Sequence, residues 1–200
     1  WIKSGIVLRT IIMIMSIKCI AIGGQPAVGK TTIVRQFFNN FSPWKNFKFK
    51  KLYGHYNEEL NLVILGKYSA GELFSGTDKL SMSVQPDFDE FIMKYNDKLS
   101  PLKYNILLEG DRLFNKKSID LLNSVMGVEV FIVESVHTHK RHIDRNDSQS
   151  EKFIKGRVTK VDNIKKHLLD DYTILINNED ADIDKNFKIL LNTLRENKNV

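Results

Sequence analysis

The sequence has almost no cysteine: Cys19 is the one thiol among 200 residues. One cysteine cannot form an internal disulfide, which excludes a disulfide-stapled fold and favours a reducing compartment such as the cytoplasm. Long apolar runs are also scarce. The uncharged stretch 10–17 near the N-terminus is too short to span a bilayer. No cleavage-site pattern follows it, so neither a membrane partner nor a signal peptide is expected.

Internal repeats and low-complexity segments are absent as well, and the composition is that of a globular chain. Hydrophobic residues make up 42% and charged residues 27% of the sequence, which suits one domain with a sizeable core. We expect residues 17–200 to form this domain, with residues 1–16 an extension upstream of a natural start at Met13 or Met15. The net charge of +6 suits polyanionic partners, namely nucleotide phosphates and, on weaker grounds, nucleic acid.

The stretch 17–32 combines an apolar strand, a glycine-rich turn and the start of an amphipathic helix. Its turn fits G-x-x-x-x-G-K-[ST], in which backbone N–H groups and the helix N-terminus cradle phosphate oxygens. Lys30 would reach the β- and γ-phosphates, and the hydroxyl of Thr31 would bind Mg²⁺. The pattern therefore predicts a nucleoside triphosphate site, ATP with Mg²⁺ by preference, formed by Gly24, Gln25, Pro26, Ala27, Val28, Gly29, Lys30, Thr31 and Thr32.

Strand-like apolar runs alternate with helical stretches, which favours an α/β fold. We expect a three-layer P-loop NTPase fold with a parallel five-stranded sheet and a basic lid. The expected strands are 17–22, 60–65, 104–108, 128–133 and 172–176; the expected helices are 30–40, 86–99, 116–124, 161–169 and 183–196. Residues 48–56 are predicted as a further strand or an irregular arm.

Three further segments carry candidate site residues. At the end of strand 104–108, Glu109 or Asp111 would bind Mg²⁺ or its waters, and Arg112 would face phosphate. The segment 134–160 is strongly basic and predicts a lid whose arginines, Arg141 and Arg145, meet the charge that develops during phosphoryl transfer. Asn177, which follows the last strand, is a candidate for nucleotide binding.

The polar loop 67–84 is long enough to predict a functional role. It offers two carboxylates, Glu72 and Asp78, that can accept a proton from an attacking hydroxyl. Asp78 is preferred, because Gly76 and Thr77 allow a close approach. The aromatic side chains of Tyr68 and Phe74 can stack on a base.

Together these residues resemble the small P-loop kinases of nucleosides and nucleotides. More narrowly, the segments 66–82, 107–115 and 153–164 are similar to the phage-type 5-hydroxymethyluracil DNA kinases. The resemblance implies an ATP-dependent enzyme that phosphorylates the hydroxymethyl group of a modified pyrimidine already in DNA, and a location in the host cytoplasm. It places Lys30 and Thr31 at the nucleotide and Mg²⁺.

Three alternatives remain at this point. A kinase of free nucleosides or nucleotides shares the same motifs. A GTP-dependent switch normally carries N-K-x-D after a strand, and 115–118 lacks the aspartate. An ATP-driven motor normally has an Asp-Glu pair at the end of a second strand beside the phosphates. The strand 104–108, which is followed by Glu109, lacks that pair, and this chain is short for a motor.

Overall fold

The computed structural model describes residues 18–69, 75–95, 104–144 and 150–196. These residues form one sheet with helices on both of its faces. The predictions made for residues 1–16, Glu72, Phe74 and Arg145 lie outside the described residues. Within the described ranges, no helix has the length and the apolar character needed to cross a membrane.

The sheet has seven strands in the order β2-β3-β4-β5-β1-β6-β7. Strands β4, β5, β1, β6 and β7 are mutually parallel, and β2 and β3 are antiparallel additions at one edge. The strands are β1 (Cys19–Gly24), β2 (Lys45–Phe49), β3 (Leu52–Asn57), β4 (Leu62–Leu65), β5 (Asn105–Glu109), β6 (Val128–Glu134) and β7 (Thr173–Ile176).

Six α-helices connect or follow these strands within the described ranges. They are α1 (Lys30–Asn40), α2 (Gln85–Tyr95), α3 (Lys116–Val125), α4 (Thr138–Asp144), α5 (Glu151–Leu168) and α6 (Asp180–Arg195). Helices α1 and α6 pack on one face of the sheet, whereas α2, α3 and α5 pack on the other. The strands β4 and β5 are buried along their whole length, as expected for parallel strands covered on both faces.

The expected count of five strands is wrong for the sheet as a whole, since a hairpin adds two strands to it. The stretch predicted as one strand or an arm at 48–56 is divided between β2 and β3, which pair as Phe49 with Leu52. Lys50, in the connecting turn, has a φ of 53°. A lysine in the left-handed region is uncommon, and no Asn-Gly or Asp-Gly pair marks this turn in the sequence.

The basic segment 134–160, predicted as a lid that precedes a helix at 161, contains helical structure of its own. It covers the end of β6, all of α4 and the first ten residues of α5. Helix α5 begins ten residues earlier than the predicted 161, because Ser150 caps it: its hydroxyl accepts a hydrogen bond from the N–H of Phe153 at 3.3 Å. A side-chain oxygen at this position satisfies one of the unpaired N–H groups of the first turn.

The parallel arrangement brings several strand ends to one edge of the sheet. Ile22 pairs with Glu109, Gly24 with Val133, and Glu134 with Ile176. Because the carboxyl ends of parallel strands lie together, the loops that follow β1, β5, β6 and β7 all meet there. This edge holds the predicted site residues that the structure describes.

Candidate functional site

The loop between β1 and α1 curls around its own lysine. The ammonium group of Lys30 donates hydrogen bonds to the carbonyl oxygens of Gly24 at 3.0 Å and Gln25 at 2.7 Å. Helix α1 begins at Lys30, so the N–H groups of its first turn have no partner inside the helix. No acidic residue lies in that turn, and its positive charge is therefore available to an anion.

Two side chains donate hydrogen bonds to the backbone carbonyls of this loop. The amide of Asn177 donates to the carbonyl oxygen of Val28 at 2.6 Å, and the guanidinium of Arg141 donates to the same oxygen at 3.2 Å. Arg141 also reaches the carbonyl oxygens of Ala27 at 3.5 Å and Asn178 at 3.3 Å. Because C=O and N–H of a planar trans peptide point in opposite directions, this anchoring turns the next N–H away from both side chains.

Gly29 is required by the same contact. Its φ is 94°, and an added Cβ would lie 2.2 Å from the amide nitrogen of Asn177. Only glycine adopts this conformation without strain and leaves room for the buried amide. Asn177, which is 1% exposed, therefore contacts the loop itself, and its part in nucleotide binding stays a prediction.

A buried carboxylate faces the start of α1. Glu109, at the end of β5, is 1% exposed. One oxygen of its carboxylate accepts a hydrogen bond from the hydroxyl of Thr31 at 3.0 Å and another from the hydroxyl of Tyr68 at 3.2 Å. The structure therefore brings together two of the three residues predicted to bind Mg²⁺, Thr31 and Glu109, and adds Tyr68, for which the sequence predicted a different role.

Burial sets the charge state of this carboxylate. Removal from water raises the pKa of Glu109 from 4.5 to about 7, against the opposing effect of the Lys30 ammonium. The nearby carboxylate of Asp78 adds to the rise, while the two hydroxyl donors oppose it. A buried carboxylate that titrates near neutrality beside a lysine is typical of functional sites.

The residues 75–78 pack directly against Glu109. An added Cβ on Gly76, whose φ is 82°, would lie 2.1 Å from a carboxylate oxygen of Glu109. The hydroxyl of Thr77 donates to the backbone carbonyl of Glu109 at 2.8 Å. Glycine at 76 and threonine at 77 thus let the loop pack closely against Glu109, a contact that the sequence did not predict.

Asp78 is anchored to the turn that follows β5. One of its carboxylate oxygens accepts hydrogen bonds from the backbone N–H groups of Asp111 at 2.7 Å and Arg112 at 3.2 Å. The side chain remains exposed. The preferred proton acceptor of the sequence prediction is therefore held at a fixed place beside Glu109, on the solvent side of the site.

Asp111 and Arg112 make contacts within the protein that the sequence did not predict. The carboxylate of Asp111 forms ion pairs with Arg157 and with Lys160, the latter at 2.8 Å. It thereby connects the end of β5 to α5, and its predicted role in binding Mg²⁺ stays a prediction. The guanidinium of Arg112 contacts the sulfur of Met82 and the backbone carbonyl of Asp78.

Two residues of the 24–31 loop line an open cavity. Gln25 and Val28 form one wall of a cavity of about 370 Å³, and Glu134, Val136 and Asn178 lie on its other sides. This volume falls in the usual range for small-molecule sites. Pro26 is half-exposed next to Gln25, and Thr32 is exposed on the first turn of α1.

Sequence reasoning missed two contacts that shape the site. The ring of Tyr68 packs against those of Phe38, at 5.0 Å, and His55, at 6.1 Å, and these two rings also contact each other. Base stacking by Tyr68 stays a prediction. Arg35 on α1 donates to the hydroxyl of Ser75 at 2.8 Å. The four-residue spacing of Thr31 and Arg35 was the available signal, because it places both on one side of α1.

Comparison of the chain with protein-family models and with curated proteins yields no match. Its function therefore has to be argued from the residues and their geometry.

Proposed function

We propose that this protein is a phosphotransferase of the P-loop NTPase fold, which binds a nucleoside triphosphate with Mg²⁺ and transfers the terminal phosphoryl group to a hydroxyl. The observation that carries the proposal is the meeting of the 24–31 loop with Glu109. A lysine that lies inside the loop, a helix start without acidic residues and a threonine hydroxyl 3.0 Å from a buried carboxylate are the parts that phosphoryl transfer needs.

Each part has a definite task. The triphosphate would take over the hydrogen bonds that the Lys30 ammonium now makes to Gly24 and Gln25. The N–H groups of the first turn of α1 would bind the same oxygens. The nucleoside would lie in the adjoining cavity of about 370 Å³, since Gln25 and Val28 belong to both the loop and the cavity wall.

The donor set also suits Mg²⁺, which prefers hard oxygen ligands and keeps several waters. Thr31 and Glu109 would hold the ion or its waters beside the phosphates. When bound, the ion neutralises phosphate charge and orients the group to be transferred. Lys30 would then hold the phosphates, and Thr31 and Glu109 would fix where the terminal phosphoryl group lies.

Asp78 is the carboxylate on the acceptor side. Two backbone N–H groups fix one of its oxygens, and its exposure makes it accessible to a hydroxyl that approaches from solvent. In this proposal Asp78 orients the attacking hydroxyl and accepts its proton. Arg141, which reaches the loop from α4, keeps the 24–31 segment in its curled shape before the ligand binds.

The proposed acceptor is the hydroxymethyl group of 5-hydroxymethyluracil in DNA. The support is the resemblance of segments 66–82, 107–115 and 153–164 to kinases of that class, together with the net charge of +6. A 5-substituent lies in the major groove, and an enzyme reaches it there or by flipping the base. The free nucleoside or nucleotide is the alternative acceptor, and the experiment below separates the two.

The test is transfer of radiolabelled phosphate from γ-labelled ATP with Mg²⁺. The acceptors are duplex DNA with 5-hydroxymethyluracil, unmodified duplex DNA and free nucleosides and nucleotides. We expect label on the modified DNA alone, and a loss of about 10³-fold or more with Lys30→Ala, because charge stabilisation in the transition state is lost. Lys188→Ala, which removes an exposed lysine of α6, serves as the matched control.

Near-normal transfer by a folded Lys30→Ala protein would overturn the phosphotransferase proposal. Label on nucleosides or nucleotides but none on modified DNA would overturn the DNA acceptor and leave the phosphotransferase proposal standing. Circular dichroism and thermal unfolding of each variant verify that a lost activity is not a lost fold.

A further inference from the structure

Two exposed lysines lie over one aromatic ring at the hairpin edge of the sheet. The ammonium nitrogen of Lys67 is 4.3 Å, and that of Lys48 5.3 Å, from the ring centroid of Tyr53. Lys48 is the cross-strand partner of Tyr53 in the edge strand β2, and Lys67 follows β4. We call these three residues, Lys48, Tyr53 and Lys67, the Tyr53 patch.

Within the described part of the chain, no carboxylate neutralises the positive charge of this patch. Neither Lys48 nor Lys67 has a carboxylate partner among the described residues. Every other lysine that lies over an aromatic ring in the described ranges does have one: these pairs are Lys45 with Glu58, Lys50 with Glu90, Lys94 with Glu90 and Lys165 with Glu134. Two like charges over one ring repel each other, and an anion bound beside them would relieve that repulsion.

The patch lies level with the carboxyl ends of the parallel strands, where the candidate site also lies. The N–H of Gly66 donates to the carbonyl oxygen of Tyr53 at 2.8 Å. Leu65 pairs with Leu108, so Gly66 is level with Glu109. Lys48 is on β2, three strands from β5, and neighbouring strands are about 4.8 Å apart, so Lys48 is roughly 14 Å from the Glu109 strand.

We infer that the Tyr53 patch binds backbone phosphates of a polynucleotide whose reacting base lies beside Asp78 and Glu109. This inference rests on the proposed function, because it takes the acceptor to be a base within DNA. Successive phosphates of one strand are about 3.4 Å apart along a duplex axis, so a reach of roughly 14 Å corresponds to about four base-pair steps. Contacts of this kind position the nucleic acid without reading its sequence.

A structural explanation of one lysine competes with this role. Lysine on an edge strand discourages pairing with another chain, and Lys48 is on such a strand. Lys67 is not on the edge, and its charge serves no such purpose. A purely protective Lys48 predicts aggregation of its variant without any change in DNA binding, whereas a phosphate contact predicts a change in the salt dependence of binding.

The experiment measures binding of a fluorescent duplex of about 20 base pairs by anisotropy, from about 50 to about 200 mM salt. The test variant is Lys48→Gln with Lys67→Gln. The matched control is Lys45→Gln with Lys94→Gln, which also removes two lysines from aromatic rings, but lysines whose charge is paired with Glu58 and Glu90. Binding of ATP with Mg²⁺ is measured on the same samples.

We expect the test variant to bind DNA about tenfold more weakly than the wild type. The slope of log K against log salt should become shallower by about 1.8, since each of the two lost phosphate contacts contributes about 0.9. Its affinity for ATP should equal that of the wild type, and the control variant should keep the wild-type slope. Unmodified and modified duplexes should be affected alike, because the contact is to the backbone.

A test variant with the wild-type slope, whether it aggregates or not, would overturn this inference. The proposed function would stand in that case if the variant still phosphorylated modified DNA. A wild-type protein that binds no duplex, yet phosphorylates a free nucleoside, would overturn both the Tyr53 patch and the proposed DNA acceptor.

Discussion

The hydroxyl of Thr31 donates a hydrogen bond to the carboxylate of Glu109 at 3.0 Å, although 78 positions separate the two residues in the chain. The pairing follows from the sheet, in which β1 and β5 are neighbours and Ile22 pairs with Glu109. The first turn of α1, which follows β1, therefore lies against the end of β5. A hydroxyl and a carboxylate are held together at the edge where a nucleotide would bind.

The first prediction concerns the pH dependence of stability. Burial raises the pKa of Glu109 to about 7, whereas an unfolded glutamate titrates near 4.5. Between these two values the folded protein holds a proton that the unfolded chain has lost, so this carboxyl contributes stability at low pH and loses it as pH rises through about 7. The contribution is on the order of 3 kcal/mol if the whole pKa difference is realised.

The measurement is the free energy of unfolding in urea, without nucleotide or metal, at several pH values between 5 and 8, roughly the interval over which Glu109 titrates. The wild-type protein should lose stability relative to Glu109→Gln as pH rises through this interval, because the amide does not titrate. Parallel pH profiles of the two proteins would contradict the assignment. If Glu109 binds Mg²⁺ as proposed, it must be ionised to do so. Affinity for ATP with Mg²⁺ should then rise with pH in the wild type and not in the variant.

The second prediction tests the contact between Gly29 and Asn177. Gly29→Ala should destabilise the protein, because the new methyl group would lie 2.2 Å from the Asn177 amide and because φ at this position is 94°. In an Asn177→Ala background the steric part of that cost should disappear and the conformational part should remain. A double-mutant cycle of unfolding free energies measures the difference, which we expect at about 1 to 3 kcal/mol. Strictly additive effects would contradict the proposed contact.

The third prediction concerns Arg141. Its hydrogen bonds to the carbonyl oxygens of Ala27 and Val28 support the loop before a ligand binds. Arg141→Gln should therefore raise the Kd for the triphosphate about tenfold, the effect of roughly one hydrogen bond from a charged group. Lys140→Gln, which changes the exposed neighbour on α4, is the matched control. An unchanged Kd together with a reduced kcat would assign Arg141 to the transition state alone.

The parts of the fold that local patterns determine could be predicted from the sequence. Helix α1 has the predicted bounds because Gly29 and Lys30 mark its start, and the apolar runs that became β4, β5 and β6 are unambiguous. The hairpin was missed because its turn uses Lys50 at positive φ, and no sequence signal marks that conformation. The early start of α5 had a signal, Ser150 before Glu151, that the basic composition of the segment obscured.

In the candidate site, too, local motifs could be predicted from the sequence, whereas contacts between distant segments could not. The loop that curls around Lys30 follows from a motif of eight consecutive positions, 24–31. The proximity of Thr31 and Glu109 follows from strand order, which the sequence alone does not determine. The pairing of Asp111 with Arg157 and Lys160 depends on where α5 docks. Contacts of this kind arise from packing between distant segments, and periodicity does not encode them.

The fourth prediction separates two roles of Asp78. Its anchored oxygen accepts the N–H groups of Asp111 and Arg112, which is a structural role that an asparagine oxygen can also fill. Asp78→Asn should therefore keep the wild-type stability, whereas Asp78→Ala should lose about 1 to 3 kcal/mol because two N–H groups lose their partner. Proton acceptance is a different matter, because an amide cannot accept a proton from the attacking hydroxyl.

If Asp78 serves the acceptor, Asp78→Asn should lower phosphate transfer to the hydroxyl by about 10² to 10⁴-fold and leave the Kd for ATP with Mg²⁺ unchanged. Stability from urea unfolding, nucleotide affinity and the transfer rate at saturating ATP are measured on the same three proteins. Full transfer by Asp78→Asn, combined with an unstable Asp78→Ala, would assign Asp78 to structure only. The remaining candidates for the proton acceptor would then be Glu72, the other carboxylate of the 67–84 loop, and Glu109, whose buried carboxylate lies beside Gly76 and Thr31.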